Sequence, residues 1–113
     1  MTLAILGGTG FIGRAVVQRA LLRGLAPVVL ARGQHPVDLP KGAVFEAVDR
    51  MDSAALGAAL RKHKVDTVID IYALGMLNTR SVFDAVGQVG GRYVLLSSVD
   101  VYSNYAGLLR KEQ

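Results

Sequence analysis

The stretch Gly7-Gly8-Thr9-Gly10-Phe11-Ile12-Gly13 has the residue types and spacing best suited to chemistry in this sequence. Glycines 7, 10 and 13 fall three apart, and glycines 8, 10 and 13 also fit G-x-G-x-x-G, so both registers of a phosphate-binding loop are present. A glycine loop that opens a helix offers unpaired N–H groups and the positive end of the helix dipole, and it lets a phosphate approach with no Cβ in the way. The expectation is a loop that holds a dinucleotide pyrophosphate; a tight packing turn with no ligand is the alternative. No lysine follows the loop, which argues against a nucleoside-triphosphate P-loop. About 20 residues past such glycines, an acidic residue would bind a ribose 2′-hydroxyl. Arg32 stands there instead, and a guanidinium pairs with a 2′-phosphate, so NADP is favoured over NAD. The other reading of Arg32 is a solvated loop arginine.

These residues need a strand before them and a helix after. Thr2 to Leu6 reads as a buried strand ended by the glycines. From Phe11 the period becomes helical, with Ile12, Val16 and Ala20 expected inward and Gly24 at the stop. Pro27 opens a second strand, Val28 to Ala31, and after a Gly/Pro-bearing loop Ala43 to Val48 reads as a third. Asp52 or Ser53 can cap a helix that places Leu56, Leu60 and His63 on one face. Asp66 to Ile71, rich in β-branched residues, is the fourth strand. Asn78 or Thr79 can cap the next helix, with Val82, Phe83 and Val86 inward, before a fifth strand from Arg92 to Leu96. Strands alternating with helices imply an α/β, Rossmann-type doubly wound parallel sheet in the order 3-2-1-4-5.

At 113 residues the chain is expected to be one domain spanning 1–113. Its 51% hydrophobic and 19% charged residues exclude a disordered chain and fit a buried parallel sheet. No apolar run approaches the ~18 to 20 residues that span a bilayer, and the apolar start is cut by glycine after Leu6, so no membrane partner and a cytoplasmic home are expected. Cysteine is absent, which removes disulfides and thiolate chemistry. His35 and His63 lack partners at metal-ligand spacing. The net charge of +4 favours phosphorylated ligands in general.

Taken together, the glycine loop, Asp49-Arg50 after the third strand and Ser97-Ser98-Val99-Asp100-Val101-Tyr102 after the fifth resemble the N-terminal part of an extended or atypical short-chain dehydrogenase/reductase of the NAD-dependent epimerase/dehydratase superfamily. The resemblance covers almost the whole chain. It implies that Gly7, Gly8, Thr9, Gly10, Phe11, Ile12, Gly13, Arg32, Asp49, Arg50, Tyr72 and Ala73 line a cofactor site, with Asp49 toward the adenine amino group. It also implies that Ser98 hydrogen-bonds the reacting oxygen of a nucleotide sugar or related carbonyl substrate, with hydride transfer as the chemistry. A strand-terminating structural hydroxyl is the alternative for Ser98.

The sequence departs from that family in two places. Its tyrosine proton donor is followed four residues later by lysine, and no Tyr-x-x-x-Lys occurs here: Tyr102 is followed by Ala106 and Tyr105 by Leu109. The chain is therefore expected to be a fragment or truncated form that binds cofactor without turnover and associates with further copies through an apolar edge strand. Strand four carries Asp70 among apolar neighbours, which reads either as a ribose-orienting carboxylate or, by preference, as a capped structural one. Asp100 leaves a similar choice between proton abstraction and a loop role. A second class of function, a non-catalytic relative that binds dinucleotide or RNA, is compatible with the basic pI of 9.8, although no aromatic platform is interleaved with Lys and Arg.

Overall fold

The computed structural model describes residues 1–33, 38–71 and 75–96. Along the chain run β1 (Leu3–Leu6), α1 (Phe11–Leu22), β2 (Val28–Ala31), β3 (Val44–Ala47), α2 (Ser53–Lys62), β4 (Thr67–Asp70), α3 (Met76–Gln88) and β5 (Arg92–Leu95). The strands form a 5-stranded sheet in the order β3-β2-β1-β4-β5, and every pairing is parallel. This is the expected doubly wound order. The connection from β2 to β3, expected as a Gly/Pro-bearing loop, holds no helix among the described residues. A parallel connection needs only about a dozen residues to return, with or without a helix.

Period-2 alternation sends successive side chains of each central strand into two cores. Leu3, Ile5 and Val29 pack with Val17 and Ala20 of α1 on one face of the sheet. Ala4, Leu6, Leu30 and Val68 pack with α2 and α3 on the other. Both faces are covered, which is why β1 and β2 read as unbroken apolar runs.

The helix faces required two corrections. On α1 the buried stripe is Gly13, Val17 and Ala20, while Ile12, expected inward, is 50% exposed. The stripe sits one residue later because side-chain-free Gly13 is the position pressed onto the glycine loop. On α3 the buried residues are Ser81, Val82, Ala85 and Val86, and Phe83, also expected inward, is 65% exposed. This helix begins at Met76, ahead of the expected cap. Thr79 does not cap it, because its hydroxyl donates back to the Gly75 carbonyl at 3.0 Å. Asp52 does cap α2, accepting from the Ala55 N–H at 3.0 Å. His63 lies at the end of α2 and pairs with Glu46 of β3.

Candidate functional site

The glycines of the β1–α1 loop divide by the space around them. Gly7 has φ 87°, a left-handed conformation open to glycine at little cost. At Gly8 a Cβ would come within 2.9 Å of the Val29 side chain, so its lack of one lets the loop sit on the sheet. At Gly13 a Cβ would lie 1.8 Å from the Gly7 carbonyl oxygen, an overlap with backbone that the fold cannot absorb. Gly10 differs: the nearest atom to an added Cβ is 3.8 Å away, an ordinary contact. Backbone conformation at 7 and packing at 8 and 13 thus call for glycine, but neither does at 10, where the bare backbone caps α1.

A cleft of about 590 Å³ lies at the carboxyl ends of the central strands, where the strand order reverses between β1 and β4. In open α/β sheets, ligands bind at this switch point. Gly7, Thr9 and Gly10 line the cleft; so do Arg32, Asp49 and Arg50, together with Val48, Met51 and Asn78, which no sequence motif marks. Gly8 and Gly13 are buried beneath, and Phe11 and Ile12 are exposed on the first turn of α1 without lining the cleft. Tyr72, Ala73 and Ser98 lie outside the described residues, as do His35 and Asp100.

Two ion pairs divide the charged lining. At the mouth, Arg32 reaches Asp49 at 3.4 Å with 80% of its side chain exposed, a long and weak pairing of two strand-end residues. The Met51 backbone N–H, aided by Arg32, holds the Asp49 carboxyl below its usual range. Deeper in the cleft, Arg50 forms a two-point pair with Asp70, at 2.9 and 2.5 Å, and donates to the Asn78 carbonyl at 3.3 Å. Asp70 is fully buried and also accepts the Tyr93 hydroxyl at 2.5 Å. The structural reading of Asp70 is the one the geometry supports. Burial, then the Asp70 carboxylate, pushes the Tyr93 phenol well above its ordinary range. No local motif marks Tyr93; the signal in the sequence is a carboxylate in an apolar strand, which demands a buried cation and donors nearby.

A parallel sheet in the order 3-2-1-4-5, with a glycine loop and a cleft at its switch point, defines a Rossmann-type nucleotide-binding domain. The chain belongs to the NAD dependent epimerase/dehydratase family, whose model matches residues 3–113. It is 38% identical over 84 residues to dTDP-6-deoxy-L-talose 4-dehydrogenase (NAD(P)(+)) of Kitasatospora kifunensis, a match covering 73% of this chain and 26% of that relative. Among solved structures it resembles the UDP-glucose 4-epimerase of Thermus thermophilus in complex with NAD, at 27% identity and TM-score 0.69 over 80% of this chain and 35% of that one. The UDP-glucose 4-epimerase of Thermotoga maritima with UDP-glucose shares the fold at TM-score 0.75 and 17% identity, covering 87% of this chain and 38% of that one. The chain therefore spans well under half the length of these relatives. No described helix is long and apolar enough to cross a membrane.

Proposed function

We propose that the cleft binds a nicotinamide dinucleotide, NADP in preference to NAD, within an oxidoreductase, epimerase or dehydratase that acts on a nucleotide sugar or related carbonyl compound. The observation that carries this reading is Gly10. It is the loop glycine that packing does not require, and it stands at the N-terminus of α1 on the open side of the cleft. A pyrophosphate fits there against the bare backbone and the first-turn N–H groups of α1, whose first turn holds no acidic residue to compete. Arg32, exposed at the end of β2, gives up its long pairing with Asp49 to meet a 2′-phosphate. Asp49 then remains on the same rim, available to hydrogen-bond the adenosine portion. When bound, the nicotinamide supplies hydride acceptance and return. Ser98 is assigned to polarising the substrate oxygen, on the family resemblance.

Calorimetric titration of the chain with NADP and NAD tests the reading. Tighter binding of NADP is expected, and Arg32→Ala should bring the two affinities together. Equal affinities in the wild-type chain would remove Arg32 from the site. Gly10→Val should abolish binding of both while leaving the circular dichroism spectrum unchanged, and a Gly10→Val chain that binds normally would sink the assignment of the cleft.

A further inference from the structure

The geometry points to Asp70 and Tyr93 as positioning residues that act through Arg50 to hold the far wall of the dinucleotide cleft in place; this rests on the dinucleotide reading of that cleft. The wall is the segment from Val48 to Met51, which leaves β3 at the sheet's edge and lines the cleft along its length. Such a segment is the exposed end of an edge strand, the part of a sheet least constrained by its neighbours. Two strands, β2 and β1, separate β3 from β4, a span of roughly 14 Å between strand axes at about 4.8 Å per strand. Even so, the Arg50 guanidinium is gripped by Asp70, the last residue of β4 and the register partner of Leu6, immediately before the glycine loop. The same arginine is held at its backbone, because the Ser81 hydroxyl of α3 donates to the Arg50 carbonyl at 2.7 Å. Ser53, next along, donates to the Ser81 carbonyl at 2.9 Å. One side chain and two hydroxyls thus fasten the edge segment to β4 and α3.

Tyr93 fastens Asp70 in turn. It belongs to β5, its side chain packs against the α2/α3 core, and its hydroxyl donates to the Asp70 carboxylate at 2.5 Å. Asp70 Oδ2 accepts both Arg50 Nη2 and the Tyr93 hydroxyl while Oδ1 accepts Arg50 Nη1, and these three bonds together fix the carboxylate and with it the arginine fork. With its guanidinium engaged by Asp70 and the Asn78 carbonyl, Arg50 serves the cleft through the place it gives its neighbours. Asp49, immediately before it, lines the same cleft as Gly10 and meets Arg32 there. The Arg50 anchor therefore sets the width of the cleft between the loop and Asp49, and the distance a bound dinucleotide must bridge.

The test is the affinity of the chain for NADP, measured together with its thermal unfolding. Asp70→Asn keeps the shape and removes the charge, and NADP binding is expected to weaken about tenfold. Arg50→Met/Asp70→Leu replaces the ion pair by apolar groups of similar size, so it folds even where a half-removed pair would not, and it should show the same loss. The distinguishing measurement is the double-mutant cycle with Asp49→Ala. If Asp70 acts by placing the 48–51 wall, then once Asp49 is gone Asp70→Asn weakens binding less than about twofold further. A folded Asp70→Asn or Arg50→Met/Asp70→Leu chain that binds NADP as the wild type does would overturn the positioning role alone. So would a full tenfold loss that persists beside Asp49→Ala, since that marks a general effect on stability. A wild-type chain that binds neither NADP nor NAD would overturn the dinucleotide reading and the positioning role together.

Discussion

The two walls of the cleft are built on opposite principles. The β1–α1 wall is backbone: Gly7 turns, Gly8 and Gly13 close onto it, and the cap of α1 uses no side chain. The facing wall is held by side chains from four places in the fold, with Arg50, Asp70, Tyr93 and Ser81 joined by hydrogen bonds. A backbone wall is rigid because atoms have nowhere to go, whereas a wall of charges is rigid only while every partner is present. The first should fail by steric overlap at single positions and the second by loss of complementarity.

The largest effect expected from that contrast is at Gly13. Gly13→Ala must push the helix off the loop, costing about 3 kcal/mol or more in urea unfolding, while Gly10→Ala costs under about 1 kcal/mol. Equal costs at the two positions would erase the distinction drawn between them. On the other wall, Arg50→Met alone leaves the buried Asp70 carboxylate without its cation and should cost about 3 kcal/mol, most of which returns in Arg50→Met/Asp70→Leu. A double variant no better than the single one would show that the pair matters for more than charge balance.

Smaller effects read the same wall by pH. Burial and Asp70 favour the neutral Tyr93 phenol in the fold, so its contribution to stability is complete below the ordinary tyrosine value of 10.0 and is lost as pH climbs above it. Tyr93→Phe should flatten the decline in melting temperature above pH 10, and an unchanged alkaline limb would contradict the placement of that hydroxyl. The smallest shift belongs to a site away from the cleft. Burial raises the Glu46 pKa, but hydrogen bonds and charge from His63 and Lys62 outweigh it and leave the carboxyl below its ordinary 4.5. This tie between β3 and the end of α2 is therefore present above that pH and fades below it. Glu46→Gln should lower the melting temperature at pH 7 by about 3 °C or less and by less still under acid conditions. A larger loss in acid than at neutrality would reverse the assignment.

The same contrast explains what the sequence made legible. The glycine loop is a local device whose whole logic fits between residues 7 and 13, and the strand order follows from apolar runs bounded by turns, so both could be read directly. Arg50, Asp70 and Tyr93 are separated by 20 and 23 residues, and nothing in their local pattern announces that they meet. What could be read was half of the relation: Asp70 sat in an apolar strand and needed partners, but their identity depended on how α2 and α3 pack. The phase of α1 was misjudged for a related reason, since Ile12 looks like a core residue until Gly13 is seen pressed against the Gly7 carbonyl.

That overlap also constrains mutational drift in the loop. At position 13 even the smallest side chain meets backbone, at position 8 it meets Val29, and at position 7 it meets an unfavourable φ, so each change there is exposed to selection for folding. Of these four glycines, position 10 is the one shielded from that selection, because an added Cβ there meets nothing closer than 3.8 Å, at a residue that lines the cleft. A lineage that no longer needed the ligand would be free to replace Gly10 first, keeping a folded domain with a closed site. On the dinucleotide reading, the glycine at residue 10 is the one in the loop whose bare backbone serves the ligand rather than the fold.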